Sequence, residues 1–192
     1  PAGIKGYFST GHDLRLGQVI TNLIENARSF APEGHGRIGV NLVGPTLLAH
    51  GTDDQKERWL PKILDATEIW CQLFSEPGAG SDVASLASPA VRDGDEWIVN
   101  GQTVWTTLAH LSRWGLLVVR TNPEAVKHAG LTAFVVDMHA PTVQTLPLRQ
   151  MTGEAEFNEV FFTDTRIHES EMLGQPGDGW RVTLEGYRQR YT

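Results

Sequence analysis

The spacing of apolar and polar positions predicts helices in the first third of the chain. From Asp13 to Phe30, apolar residues recur at three- and four-residue steps, as one face of an amphipathic helix requires. A second helix is predicted from Ile38 to His50, where Gly51 supplies a stop signal. A third helix follows, and its predicted buried residues are Trp59, Leu60, Ile63 and Leu64, with Lys56, Glu57 and Arg58 exposed.

The start of that third helix has a recognisable capping pattern. Thr52 and Gln55 are three positions apart, which fits a capping box in which each side chain binds the other residue's backbone N–H. The pattern predicts that the helix begins immediately after Thr52.

Beyond Glu68 the hydrophobic period changes from that of a helix to that of a strand. The predicted strands are Trp114 to Arg120, Leu131 to Asp137, Val143 to Leu148 and Phe157 to Phe162. Asp93-Gly94 and Asn100-Gly101 are dipeptides typical of tight hairpin turns, so a hairpin is predicted at each. A helical pattern returns after Gly179.

These patterns together predict an α+β fold. A helical amino-terminal segment is followed by an antiparallel β-barrel-like domain and then by the start of a helical domain. The predicted boundaries are 1–67 for the partial helical domain, 68–174 for the central β domain and 175–192 for the opening of the carboxy-terminal helical domain.

Composition and charge exclude several classes of function. The net charge of −7 and the lack of a basic stripe with interleaved aromatics argue against nucleic acid as a partner. No window approaches the roughly 18 consecutive apolar residues of a membrane span, and no signal peptide is visible, so the expected location is the cytoplasm. The histidines show no metal-ligand spacing, and no metal site is expected.

Nucleophilic and acid–base candidates are few. Cys71 is the only cysteine, so no internal disulfide can form, and its apolar surroundings favour a small buried side chain. The carboxylates near the candidate motifs are expected to cap turns or face solvent: Glu76, Asp82, Glu154, Glu156 and Glu159. His110 is expected to have a structural role.

Two segments carry the candidate chemistry. In the first, an apolar run leads into Ser75 and Pro77, and two glycines, Gly78 and Gly80, let the main chain bend and approach a ligand. The sixth position of a dinucleotide fingerprint is Val83 rather than glycine, which argues against a Rossmann site.

The second segment is a strand that ends in Trp105, Thr106 and Thr107. Spacing alone leaves a structural role open for both residues. Ser75 could cap a turn, and Trp105 could be a residue of the hydrophobic core.

The two segments resemble the flavin-contacting parts of the acyl-CoA dehydrogenase family. Ordered motifs at family spacing extend over most of Asn41 to Trp180. They include Gly51-Thr52-Asp53-Asp54-Gln55-Lys56 and Met151-Thr152-Gly153-Glu154-Ala155-Glu156-Phe157-Asn158-Glu159-Val160. The resemblance implies a chain that covers the later part of a helical domain, all of a central β domain and the opening of a helical bundle.

The resemblance also implies a set of site residues. FAD is the implied cofactor, and its implied contacts are Gln72, Leu73, Phe74, Ser75, Gly80, Ser81, Trp105, Thr106 and Thr107. Trp105 would lie against the flavin ring, Ser75 would hydrogen-bond its pyrimidine end, and Thr107 would lie near the hydride-accepting nitrogen. Ser81 and Arg190 would contact the substrate. No catalytic residue is assigned, since the family's base is a glutamate expected beyond residue 192.

The activity implied by the resemblance is α,β-dehydrogenation of an acyl-CoA thioester to a trans-2-enoyl-CoA. Electrons would pass to an electron-transfer flavoprotein, and a homo- or hetero-oligomer is expected. Two alternatives remain: a non-catalytic flavin- or partner-binding subunit of a hetero-oligomer, and a flavin oxidase or monooxygenase of the same fold.

Overall fold

The structure is a computed structural model, and it describes residues 38–151, 153 and 155–188. The predicted helix from Asp13 to Phe30 and the predicted substrate contact Arg190 lie outside these residues. The described residues fall into two compact units, 38–69 with 185–188, and Trp70–Leu184.

The first unit is helical, as the apolar spacing predicts. A π-helical turn, Gly39–Val43, leads directly into helix α1, Gly44–His50, which confirms the predicted second helix. Pro45 lies in the first turn of α1, directly after the π-helical turn, and its ring removes one backbone N–H donor there.

Helix α2, Asp53–Leu64, confirms the capping box. The hydroxyl of Thr52 accepts from the backbone N–H of Gln55 at 3.3 Å, and the Gln55 side chain accepts from the N–H of Thr52 at 2.9 Å. Trp59, Leu60 and Ile63 are buried as predicted. Leu64 and Lys56 are both half-buried, and Lys56 lies 3.8 Å from the carboxylate of Asp53.

The second unit consists of two four-stranded sheets. The strands are β1 Trp70–Leu73, β2 Ala90–Asp93, β3 Glu96–Thr107, β4 Trp114–Arg120, β5 Leu131–Asp137, β6 Val143–Leu148, β7 Phe157–His168 and β8 Met172–Leu173. One sheet has the order β1-β4-β5-β8 and the other has the order β2-β3-β7-β6. Only the β1/β4 pair is parallel among these strands. Helix α3, Gly179–Arg188, follows.

The α+β prediction is therefore confirmed, although the two sheets do not close into one barrel. The bounds of β4, β5 and β6 match the predicted strands, and β7 continues past Phe162 to His168. The hairpin at Asp93-Gly94 is confirmed by the pairing of β2 with β3 and by a φ of +67° at Gly94.

The second predicted hairpin, at Asn100-Gly101, is wrong. The dipeptide lies inside β3 at a register shift opposite β7. The Asn100 side chain donates to the carboxylate of Asp164 at 3.0 Å and accepts from the Asp164 N–H at 2.9 Å. A Cβ at Gly101 would lie 2.2 Å from the hydroxyl of Ser88. The glycine therefore serves close approach within the strand instead of a turn.

Both sheets contribute to one apolar core. Trp97 of β3 packs on Phe134 of β5, with ring centroids 5.7 Å apart. Cys71 and Leu73 of β1 and Val160 of β7 belong to the same buried cluster. Among the described residues, no helix has the length and apolar character needed to cross a membrane.

Candidate functional site

The two candidate segments meet where β1 ends. The backbone carbonyl of Ser75 accepts a hydrogen bond from the N–H of Val104 at 2.8 Å. This bond joins the extension of β1, in one sheet, to β3, in the other sheet. Ser75 is thereby held beside the position that precedes Trp105, so the fold brings together two segments that are far apart in sequence.

Trp105 is the most exposed aromatic residue of this region. Its side chain is 65% exposed, and its backbone has a φ of +57° at a register shift between Thr103 and Thr106. Phe157 meets the indole edge-on, with ring centroids 6.1 Å apart. A positive φ at a bulky residue is costly, and such strain concentrates at functional sites. The bulge presents a flat aromatic surface to the outside of the sheet.

The two threonines after Trp105 differ in what their hydroxyls contact. Thr106 is 2% exposed, and its hydroxyl lies 3.3 Å from the hydroxyl of Thr103. Thr107 is half-buried, and its hydroxyl makes no hydrogen bond to another described residue. Thr107 therefore retains a donor for a ligand, whereas the side chain of Thr106 is engaged inside the sheet.

The residues of β1 and of the segment that follows it differ in how far their side chains are buried. The side chains of Leu73 and Phe74 are 0% and 2% exposed, which leaves only their main chain for contact with a ligand. Gln72 and Ser75 are half-buried. The hydroxyl of Ser75 has no hydrogen-bond partner within the described part of the chain.

The loop that carries Gly80 and Ser81 is closed by one carboxylate. A reverse turn forms where Glu76 and Ala79 exchange backbone hydrogen bonds of 2.8 and 3.1 Å. The two carboxylate oxygens of Glu76 accept from the N–H groups of Ala87 and Ser88, each at 2.8 Å. Glu76 thus joins the two ends of this segment, residues 76–88, which we call the glycine loop.

Arg120 and Asp82 hold the same loop further along. The Arg120 guanidinium donates to the carbonyls of Ala84 and Leu86, each at 2.7 Å. Hydrogen bonds from Lys127 and then Ser85 hold the pKa of the Asp82 carboxyl below its ordinary value. Arg120 was not among the residues predicted from the sequence, where its only signal is a charge at the end of an otherwise apolar strand.

The two glycines of the loop are not required by the fold itself. A Cβ at Gly78 or at Gly80 would meet nothing within 4 Å, and neither residue has a positive φ. Ser81 is exposed, and its hydroxyl makes no hydrogen bond to another described residue. The bare main chain therefore borders open space, which suits the close approach of a ligand.

Other reactive groups are excluded from this site on physical grounds. Burial raises the pKa of the Cys71 thiol to about 12, so the thiol is protonated at neutral pH, in keeping with a buried structural cysteine. Across the described residues, no group of three or more histidine, cysteine or acidic side chains could hold a metal ion.

The donor set fits a flavin cofactor. An isoalloxazine ring offers a flat face for Trp105, and its pyrimidine end and ring nitrogens accept hydrogen bonds of the kind that Ser75 and Thr107 can donate. The glycine loop leaves room for a bound molecule beside Ser81.

The chain is similar to known proteins over most of its length. Residues 71–165 match the family model described as "Acyl-CoA dehydrogenase, middle domain". Acyl-CoA dehydrogenase IpdE1 of Mycobacterium tuberculosis is 53% identical over 91% of this chain and 45% of its own length.

Two solved structures are also similar over nearly the whole chain. The Tcur3481-Tcur3483 steroid ACAD G363A variant has a TM-score of 0.79 and 32% identity, covering 97% of this chain and 48% of that one. The ChsE4-ChsE5 complex of Mycobacterium tuberculosis has a TM-score of 0.76 and 34% identity, covering 96% and 47%. The chain thus spans less than half the length of these relatives. It belongs to the acyl-CoA dehydrogenase family.

Proposed function

We propose that this chain forms the flavin- and thioester-contacting part of an acyl-CoA dehydrogenase. The observation that carries the proposal is the hydrogen bond from the N–H of Val104 to the carbonyl of Ser75, which holds Ser75 beside the exposed Trp105. The hydroxyls of Ser75, Ser81 and Thr107 have no hydrogen-bond partner among the described residues. Ser81 lies in the glycine loop, where a Cβ at Gly78 or Gly80 would meet nothing within 4 Å.

In the proposed reaction, an acyl-CoA thioester loses its α-proton to a base and its β-hydrogen as hydride, leaving a trans-2-enoyl-CoA. FAD, when bound, supplies the acceptor for the hydride and its electron pair. Trp105 would offer a face for the flavin ring, and Thr107 would donate a hydrogen bond to it. Ser75 donates to the pyrimidine end, where electron density accumulates on reduction.

The glycine loop orients the thioester. Ser81 lies between the flavin side and the pantetheine arm of the substrate in this proposal, and Gly80 lets the main chain approach both. The carboxylates of Glu76 and Asp82 are already occupied by backbone and side-chain partners, so neither acts as the base. By resemblance to the family, the base would be a glutamate expected beyond residue 192.

The proposed function also implies an electron acceptor, a partner chain and a class of substrate. An electron-transfer flavoprotein would be the partner that takes up the electrons from the flavin. Two similar structures, Tcur3481-Tcur3483 and ChsE4-ChsE5, are named for two different chains, which favours a hetero-oligomer here. One of them is described as a steroid ACAD, which favours an acyl-CoA with a steroid-derived acyl group as substrate. A subunit that binds flavin without catalysing dehydrogenation is the second candidate function.

Flavin binding by the purified protein tests the proposal. FAD is added, and the visible spectrum and the quenching of flavin fluorescence are followed. We expect binding that weakens about tenfold in Trp105→Ala, because a stacked aromatic ring contributes on the order of 1–3 kcal/mol. Val91→Ala is the control and leaves the affinity unchanged, because Val91 is 63% exposed and pairs with Ile98, at the other end of β3 from Trp105.

Each outcome of the titration has a meaning. Unchanged flavin fluorescence and an unshifted spectrum would contradict the proposed site. Binding without dehydrogenation of any acyl-CoA by the complete protein would favour the non-catalytic subunit. Rapid reaction of the reduced flavin with oxygen would identify an oxidase or monooxygenase.

A further inference from the structure

The segment from Trp105 to Leu108 is strained at both ends. Trp105 and Leu108 each have a φ of +57°, and neither is a glycine. Left-handed backbone at such residues costs on the order of 1–3 kcal/mol each, and it persists only where the surroundings hold it in place. The structure must therefore contain groups that fix this segment.

Asn158 is the buried group that holds it. This residue lies on β7, directly opposite Thr106, and its side chain is fully buried. Its amide nitrogen donates to the carbonyl of Thr106 at 2.9 Å and to the carbonyl of Glu156 at 3.1 Å. The Glu156 carbonyl also accepts from the N–H of Leu108 at 2.9 Å. One side-chain amide thus fixes the strand immediately after the bulge.

His110 completes the network and has a defined tautomer. Its Nδ1 lies 3.0 Å from the side-chain oxygen of Asn158. Because both amide protons of Asn158 point to carbonyls, its oxygen must accept, and the proton therefore lies on Nδ1 of His110. The hydrogen bond survives protonation of the ring, since Nδ1 is a donor in both charge states. His110 thereby helps to hold the Asn158 amide in the orientation that serves the bulge.

We propose that Asn158 is a positioning residue of the flavin site, with His110 supporting it. Asn158 fixes the bulge at which Trp105 faces outward, so that the indole is in place before the cofactor arrives. The expected effect on FAD binding rests on the proposed function, whereas the positioning of Trp105 by Asn158 does not. Asn158 is fully buried and would act through Trp105 instead of contacting a ligand.

The first test uses the protein without FAD. Asn158→Asp keeps the size of the side chain but removes both donors and turns a carboxylate toward two carbonyls. We expect the indole N–H resonance of Trp105, assigned with Trp105→Phe, to shift or broaden in ¹⁵N-labelled protein. The resonances of Trp97 and Trp114 stay in place.

A matched control is available in the same pair of strands. Asn100 also bonds across from β3 to β7 at a register shift, but it is exposed and lies at the other bulge. Asn100→Asp leaves the Trp105 resonance unchanged. If Asn158→Asp leaves that resonance unchanged as well, the proposal is overturned.

The second test is a double-mutant cycle on FAD affinity. We expect Asn158→Asp to weaken FAD binding about tenfold, the usual scale for leaving buried polar groups unpaired. In the Trp105→Ala background the same substitution weakens binding less than about twofold, because the group that it positions is gone. Equal effects in both backgrounds would show that Asn158 does not act through Trp105.

Two further outcomes keep the inferences separate. If the parent protein binds no FAD, the proposed function fails, and the indole resonance alone decides the role of Asn158. If Asn158→Asp does not fold, Asn158→Ser replaces it, because the shorter uncharged side chain removes the hydrogen bonds to the Thr106 and Glu156 carbonyls without burying a charge. A shift of the Trp105 resonance in Asn158→Ser supports the proposal, and an unchanged resonance overturns it.

Discussion

At the scale of single residues, substitution of Gly80 should affect ligand binding but not the stability of the fold. We predict that Gly80→Ala changes the free energy of unfolding by less than about 0.5 kcal/mol, since the added methyl group meets nothing within 4 Å. The same methyl group occupies the space beside the bare main chain and weakens FAD or acyl-CoA binding. Urea denaturation and a ligand titration on the same preparations measure the two effects.

Gly179→Ala provides the contrasting case. A Cβ at Gly179 would lie 2.7 Å from backbone atoms of Leu131 and Thr132, which cannot move aside as a side chain can. We expect a loss of about 1–3 kcal/mol in unfolding free energy, the usual cost of overpacking. If Gly80→Ala destabilised the protein as much as Gly179→Ala, the glycine at position 80 would serve the fold instead of a ligand.

Residue types in the site were predictable from sequence, but their orientations were not. Strand alternation places neighbouring side chains on opposite faces, and the bulge at Trp105 interrupts that alternation. Buried Thr106 and half-buried Thr107 could therefore not be told apart from the sequence. Asn158 was missed because a polar residue in a strand usually faces solvent, whereas this one is buried and bonded to three partners.

At the scale of elements, the carboxylate of Glu76 joins the two ends of the glycine loop. We predict that Glu76→Gln speeds amide hydrogen exchange at Ala87 and Ser88 by at least about tenfold, because a hydrogen bond to a charged group contributes about 1.5–3 kcal/mol. The glutamine oxygen can accept from one of these N–H groups, but its NH₂ group cannot accept from the other. Exchange followed by NMR or mass spectrometry measures the effect.

The control for this prediction is Glu169→Gln. Glu169 is exposed and pairs with Arg92 at 2.9 Å on the hairpin of β2 and β3. Its substitution leaves exchange at Ala87 and Ser88 unchanged, as expected for a surface ion pair of small energetic weight. Unchanged exchange in Glu76→Gln would mean that Arg120 alone is sufficient to hold the loop.

Elements with strong local patterns were predicted well, and those set by distant contacts were not. The apolar runs of β4 and β5 are buried on both faces, so their limits coincide with the change to polar residues. Asn100-Gly101 has the composition of a turn, but its conformation depends on contacts with residues outside β3. Asn100 bonds to Asp164, and Gly101 lies against Ser88. A local sequence pattern does not predict such contacts.

At the scale of the whole Trp70–Leu184 unit, the candidate site spans both sheets. Ser75 extends a strand of one sheet, and Val104 belongs to a strand of the other, so the hydrogen bond between them exists only while the sheets remain packed. The packing itself rests on the shared core, in which Phe134 is fully buried and contacts Trp97 across the interface. The site and the core should therefore be lost together.

Phe134→Ala tests this coupling. We expect a loss of about 3–5 kcal/mol in unfolding free energy, the usual cost of truncating a buried aromatic residue. Because the core is common to both sheets, far-UV and near-UV circular dichroism should report one coincident urea transition in both the parent and the variant. Val91→Ala, at a residue of β2 that is 63% exposed, should change the midpoint little. Two separated transitions, with the near-UV signal lost first, would show instead that one sheet remains folded without the other. The site would then unfold before the core.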